Sequence, residues 1–181
     1  MPDIIQIDDV RRLASALIRD IPDYPKPGIV FKDITPLLAD SVAFTAVTAM
    51  MAAPFESLDV THVVAVESRG FILGGPVAQT LGAGFVPVRK RGKLPFDKRS
   101  EAYDLEYGTD ILEIHADALD SSSRVVVVDD VLATGGTAAA TCRLVESLGG
   151  TVLGLSFLIA LSFLPGLARL EPRPVHSVVT Y

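Results

Sequence analysis

Val125-Val126-Val127-Val128-Asp129-Asp130-Val131-Leu132-Ala133-Thr134-Gly135-Gly136-Thr137 is the stretch that decides how the chain folds. Consecutive valines show no period-2 alternation, which marks a strand covered on both faces, as in a parallel sheet between helices. Two carboxylates close that strand. A small residue, Thr134, two glycines and Thr137 follow. Ala138, Ala139, Ala140, Cys142, Leu144, Val145 and Leu148 then read as a helix, with Gly149 and Gly150 as its stop.

A turn of this kind binds phosphate. Glycines let the backbone approach an anion closely. The free N–H groups of the first helical turn, with the helix dipole, favour a dianion. Thr134 and Thr137 add hydroxyl donors. Asp129 and Asp130 repel phosphate, so they face hydroxyls or a metal ion beside it. A sugar with vicinal hydroxyls and a phosphate fits. A Walker loop needs Gly-Lys-Ser/Thr and a dinucleotide turn needs Gly-x-Gly-x-x-Gly; neither stands here. For an isolated Asp-Asp or Gly-Gly, solvated acids and a packing turn would be the preferred reading; the whole run weighs against it. These residues resemble the phosphoribosyl-pyrophosphate motif of the type I phosphoribosyltransferases. That resemblance implies that Ala133, Thr134, Gly135, Gly136 and Thr137 hold a 5′-phosphate and that Asp129 and Asp130 hold ribose hydroxyls.

Composition bounds the remaining options. A chain of 181 residues, 49% hydrophobic, suits one α/β domain spanning 1–181. A net charge of −6 argues against nucleic acid as a partner. A single cysteine, Cys142, suits a reducing cytosol, and a cytoplasmic location is expected. Asp3, Asp8 and Asp9 do not fit a signal peptide. The longest apolar stretch, 152–164, is too short to span a bilayer, so no membrane is expected. His62, His115 and His176 are scattered without metal-ligand spacing.

Along the chain, Val10, Leu13, Ala14, Leu17, Ile18 and Ile21 fall at helical spacing, with Asp8 or Asp9 as the expected cap. Three prolines and a glycine make 21–28 irregular. A short strand or extended arm over 29–34 precedes a turn at Thr35-Pro36. Helices are expected over 41–53 and 72–81. Strands are expected over 60–66, 85–88, 111–115, 151–161 and, at an edge, 175–179. From 89 to 107 the chain reads as a polar loop. This alternation predicts a mostly parallel, doubly wound sheet flanked by helices, with ligands at the strands' carboxyl ends.

Two further stretches carry chemistry. Six of the sixteen Lys and Arg residues lie between 89 and 99: Arg89, Lys90, Arg91, Lys93, Lys98 and Arg99. Lys98 and Arg99 read as solvated charge, and the other four as a polyanion site. Glu67-Ser68-Arg69-Gly70, at a strand end before a helix, makes a second anion pocket from free amides and an arginine. Two such pockets match a substrate with phosphate at one end and pyrophosphate at the other.

The resemblance then narrows. Tyr24-Pro25-x-Pro27-Gly28-Ile29-Val30-Phe31-Lys32-Asp33-Ile34, Ser68-Arg69-Gly70-Phe71, Arg89-Lys90-Arg91-Gly92-Lys93-Leu94-Pro95 and Tyr103-Asp104-Leu105-Glu106-Tyr107-Gly108 are similar, in order, to the adenine phosphoribosyltransferase family. The match covers nearly the whole chain and is weakest at 96–100 and after Pro165. It implies a reaction of adenine with phosphoribosyl pyrophosphate to give AMP and pyrophosphate, in a homodimer. Mg²⁺ is implied as cofactor, bound mainly through the substrate and, at the protein, through Asp129 or Asp130. Ser68, Arg69, Arg89 and Lys93 are implied to hold pyrophosphate, and Glu106 to move the proton at the base. Tyr103 and Tyr107 would close over the site. A hood over about 1–35 would present Val30, Phe31 and Lys32 to adenine, with Phe31 stacking and Leu161 lining the pocket. A loop over about 90–107 would be the flexible catalytic loop, with 94–106 its mobile part. A cis peptide is implied between Glu67 and Ser68. Two alternatives stand beside this reading. A 6-oxopurine phosphoribosyltransferase would need a donor at position 6, and 156–163 contains no Lys or Arg. A regulatory sensor of phosphoribosyl pyrophosphate would need a DNA-binding domain, for which the first twenty or so residues are too few.

Overall fold

The computed structural model describes residues 7–104 and 109–181. Helix α1 (Ile7–Leu17) buries Val10 and Ala14 and carries Asp8 and Asp9 inside its first turn, where they complement the helix dipole, rather than before it as a cap. The helix stops short of Ile18 and Ile21. Pro22 lacks an N–H and its ring would clash with the carbonyl four residues back, so a helix cannot run through 18–22. Strand β1 (Arg19–Pro22) forms instead. It pairs antiparallel with β2 (Val30–Asp33), from Arg19 opposite Asp33 to Pro22 opposite Val30. Ion pairs Arg19–Asp33 at 3.0 Å and Lys32–Asp20 at 2.6 Å cross this ribbon.

Thr35-Pro36 opens a short helix, α2 (Thr35–Ala39), and not a turn. Proline is suited to a first helical turn, whose N–H groups have no intrahelical partner. In α3 (Ser41–Ala52) the Asp40 carboxylate accepts from the Val42 and Ala43 N–H groups, and a 3₁₀ turn (Ala53–Phe55) follows. Then come β3 (His62–Val66), α4 (Arg69–Leu81), β4 (Gly84–Lys90), β5 (Lys98–Asp104) and β6 (Thr109–His115). The chain continues as β7 (Arg124–Leu132), α5 (Gly136–Ser147), β8 (Thr151–Ala160), α6 (Gly166–Leu170) and β9 (Val175–Thr180).

The large sheet has the order β5-β6-β4-β3-β7-β8-β9. Strands β4, β3, β7, β8 and β9 are parallel, while β6 runs antiparallel to both β4 and β5. The valine run behaves as its lack of alternation implies. Val126 and Val128 enter the core beneath α1, α3 and α4; Val125 and Val127 enter the core beneath α5; all four are fully buried. The sheet thus has apolar cover on both faces, and its parallel carboxyl ends converge on one edge.

The polar stretch after Arg89 is only partly a loop. Its second half is the edge strand β5, paired with β6 from Lys98 opposite His115 to Asp104 opposite Thr109. Lys98, Arg99, Ser100 and Ala102 are exposed, and Tyr103 is buried. A charged edge strand hydrogen-bonded on one side carries the composition of a loop, and those charges guard the open edge.

Candidate active site at the strand ends

The carboxyl ends of neighbouring β3 and β7 build the site. The peptide bond between Glu67 and Ser68 is cis, and the Glu67 N–H donates to the Val88 carbonyl at 3.0 Å. Helix α4 begins at Arg69, close against β7: a Cβ on Gly70 would lie 2.8 Å from Asp129 Oδ1, so any side chain here would have to displace that carboxylate. That packing brings Arg69 Nε to 2.7 Å from Asp130 Oδ2. The pair is close in charge but not aligned as a hydrogen bond, which leaves the buried Oδ2 without one.

A cavity of about 510 Å³ opens here, and Ser68, Arg69, Asp129, Asp130, Thr137 and Tyr103 line it. A second cavity of about 80 Å³ adjoins it, lined by Ala133 to Thr137, and Asp129 and Thr137 border both. The glycine turn and the paired acids are therefore continuous. Gly135 has φ +77°, and its missing Cβ would meet the Gly166 carbonyl oxygen at 2.8 Å. Glycine is required twice over at this position, by conformation and by space. The first turn of α5 then presents its N–H groups to the smaller cavity.

The acids are electrostatically primed. Burial, and then the adjacent Asp130 charge, push the Asp129 carboxyl well above its usual range, while Arg69 pulls the other way. Asp129 Oδ1 accepts from the Asp130 N–H at 2.9 Å. Two adjacent acids, one of them paired with Arg69, suit sugar hydroxyls or a divalent ion. Among the described residues no group of three His, Cys, Asp or Glu side chains is placed to hold a metal by itself.

The β1–β2 ribbon closes the other side. The Arg69 guanidinium lies 4.9 Å from the centre of the Phe31 ring, and Tyr24 meets Phe31 edge-on at 5.3 Å. Lys32 turns its side chain elsewhere: Nζ is 2.6 Å from Asp20 and 3.7 Å from the centre of the Tyr181 ring. Val30 is exposed on the ribbon. Leu161 follows β8, packs on the core beneath α1, α3 and α4, and donates its N–H to the Leu132 carbonyl at 2.9 Å.

Arg89 and Lys93 do not line the larger cavity, whereas Lys90 does. Arg89 Nε is 2.7 Å from Glu67 Oε2, and its Nη1 donates to the Lys93 carbonyl at 3.2 Å. Lys90, one of the four cations of the 89–93 basic patch, is 3.3 Å from Asp110. Side chains alternate along β4, so Arg89 and Lys90 leave opposite faces; that period, continued two residues past Val88, is the signal that separates them. Burial opposes ionisation of Asp110, but the Ile111 N–H and Lys90 outweigh it and hold the carboxyl below its usual range. Burial raises the Tyr103 phenol, whose oxygen is 3.4 Å from Asp110 Oδ2. Glu106 and Tyr107 lie outside the described residues. Cys142 is buried and its thiol is pushed up to about 11 by burial, so it is inert. Among the described residues no helix is long and apolar enough to cross a membrane.

Residues 33–176 match the model of the phosphoribosyl transferase domain. The chain is 54% identical over 182 aligned residues to the adenine phosphoribosyltransferase of Myxococcus xanthus, covering 99% of each. It is 57% identical over 164 residues to that of Rhodopirellula baltica, covering 91% of this chain and 80% of the relative. Among solved structures, adenine phosphoribosyltransferase from Thermoanaerobacter pseudethanolicus superposes with a TM-score of 0.92 at 50% identity, covering 94% of this chain and 99% of that one. The Saccharomyces cerevisiae enzyme, complexed with D-2,5-dideoxy-2,5-imino-altritol 1,6-bisphosphate and adenine, superposes with a TM-score of 0.89 at 36% identity, covering 94% and 99%. With a strand-end pair of acids, a glycine turn at a helix start and this likeness along its whole length, the chain belongs to the adenine phosphoribosyltransferase family.

Proposed function

We propose that this site transfers the phosphoribosyl group of 5-phosphoribosyl 1-diphosphate to N9 of adenine, giving AMP and diphosphate for purine salvage. One observation carries the reading: Asp129, beside Asp130, borders both the glycine-turn cavity and the larger cavity lined by Ser68 and Arg69. The ligands of relatives agree with it. The yeast enzyme was solved in complex with a bisphosphate and adenine, and the Trypanosoma brucei enzyme, 25% identical, was solved with AMP, pyrophosphate and ribose-5-phosphate.

In the reaction the N9–C1′ bond forms, the C1′–oxygen bond breaks, and its electron pair leaves with diphosphate. The chain's work is positioning and charge stabilisation. Ala133, Thr134, Gly135, Gly136 and Thr137 bind the 5′-phosphate through amides and hydroxyls. Asp129 and Asp130 orient the ribose hydroxyls. Ser68, Arg69, Arg89 and Lys93 meet the diphosphate, and Lys90 joins them from the cavity wall. Phe31 stacks on the base, Val30 and the Lys32 backbone flank it, and Leu161 lines its pocket. Glu106 takes the N9 proton, and Tyr103 and Tyr107 exclude water. Mg²⁺ fits the donor set, because Asp130 Oδ2 is buried without a hydrogen bond beside Asp129. Asp129 or Asp130 would hold the ion, with substrate oxygens completing its shell. When bound it supplies neutralising charge to diphosphate.

The same reading makes the chain one domain, with the β1–β2 ribbon as its hood, in a cytoplasmic homodimer. Exposed Val42, Ile72, Phe85 and Phe163 supply apolar surface for a second copy. A monomer mass by light scattering would count against the dimer. The activity is tested with adenine, phosphoribosyl pyrophosphate and Mg²⁺: AMP and diphosphate should appear in equal amounts and stop with EDTA. Folded protein that yields neither product would refute the proposal.

A further inference from the structure

Glu113 takes no part in the site described above, yet its side chain is only 4% exposed. A buried carboxylate costs free energy unless it is hydrogen-bonded and charge-paired. Its β6 neighbours Leu112 and Ile114 are fully buried and apolar, so packing alone would favour another apolar residue here. Both partners of this carboxylate stand at or next to the ends of the connection from β4 to β5. Oε2 accepts the Gly92 N–H at 2.8 Å and lies 3.6 Å from Lys98 Nζ. Gly92 stands near the start of the connection and Lys98 begins β5, so one oxygen ties its two ends.

The sheet register places Glu113 for this work. It lies opposite Arg89 on one side and Ser100 on the other. Around Gly92, which has φ +79°, the chain makes a tight turn closed by Lys93 N–H to the Lys90 carbonyl at 3.2 Å and Arg91 N–H to the Ile111 carbonyl at 3.1 Å. The Arg89 guanidinium grips the same turn at the Lys93 carbonyl, 3.2 Å away. The turn that carries Arg91 and Lys93 is thus held by a buried acid on one strand and an arginine on the next.

We propose that Glu113 is the positioning residue of the diphosphate-binding turn. Through the Gly92 N–H it sets where Lys93, and with it Arg89, stand relative to diphosphate, without touching substrate. The proposal rests on the reading above that these cations meet diphosphate.

Three variants separate this role from a merely structural one. Glu113→Gln keeps the length and the acceptor for Gly92. Glu113→Asp keeps the charge but withdraws the acceptor by one methylene. Glu113→Leu removes it. The readouts are KM for phosphoribosyl pyrophosphate, KM for adenine, kcat and Tm. Glu113→Leu and Glu113→Asp should raise the phosphoribosyl-pyrophosphate KM by about tenfold, leaving adenine KM and kcat within about threefold, while Glu113→Gln stays near wild type. Wild-type phosphoribosyl-pyrophosphate KM in the Asp and Leu variants, or an equal rise in both KM values, would overturn the proposal even if Tm falls. If the Leu variant is insoluble, the Asp variant decides. An inactive wild type would refute the assigned reaction instead, so the two failures are distinct.

Discussion

The turn between β7 and α5 and the connection between β4 and β5, to which the proposed function assigns the two anionic ends of one substrate, are held in place by different means. In the first, the shaping groups are contiguous: Asp129, Asp130 and Ala133 to Thr137 run from a strand into a helix. In the second, the cations are local but their supports are remote. Glu67 holds Arg89, Asp110 holds Lys90, and Glu113 holds Gly92. A contiguous site concentrates its sensitivity in a few positions. A distributed one spreads it over several supporting residues, each with a smaller share.

The largest effect should therefore come from inside the contiguous turn. Gly135→Val combines a left-handed backbone with a Cβ 2.8 Å from a backbone oxygen that has little room to move. Steady-state assays should show kcat/KM reduced by about 100-fold or more. Asp130→Asn comes next. It keeps the shape but removes charge from a buried acid beside Arg69, and should lower kcat/KM by at least about tenfold, or ~1.4 kcal/mol. Wild-type kinetics in either folded variant would break the comparison.

In the distributed region, Glu67→Leu frees the Arg89 guanidinium from its 2.7 Å partner. It should raise the phosphoribosyl-pyrophosphate KM only about three- to tenfold, with adenine KM unchanged. The smallest effect belongs to Asp110, whose carboxyl sits below its usual range beside the exposed Lys90. A group depressed on folding contributes stability above its unfolded value and loses it as pH falls through the folded value. Asp110→Asn should thus cost about 1 kcal/mol or less at neutral pH and nothing in acid, read from denaturant melts at both pH values. An equal cost at both would show that charge is not the cause.

The same contrast separates what the sequence makes legible from what only the fold reveals. Val125 to Val128 announced a strand covered on both faces because nothing in them alternates. The acids and glycines that follow are one local unit, so their shared placement needed no tertiary information. Ile18 and Ile21 misled because apolar spacing ran on beyond the point where Pro22 forbids a helix. Strand β5 was hidden because Lys98, Arg99 and Glu101 reflect its place at the sheet edge and not its backbone state. Glu113 was hidden for the opposite reason. Alternation with Leu112 and Ile114 reads as a solvent-facing acid, and only the chain folded around it makes it buried.

The base, rather than the phosphates, tests the account most directly. The Lys32 ammonium is committed to Asp20 and Tyr181, and no Lys or Arg stands in 156–163, so a 6-oxo group would find no charged donor from either. A 6-amino group can instead donate to a backbone carbonyl of the ribbon over 29–32. The measurement is kcat/KM for adenine, hypoxanthine and guanine with saturating phosphoribosyl pyrophosphate and Mg²⁺. Adenine should be preferred by ~10⁴-fold or more, because the wrong base leaves a buried polar group unpaired. Comparable values for adenine and hypoxanthine would contradict the account.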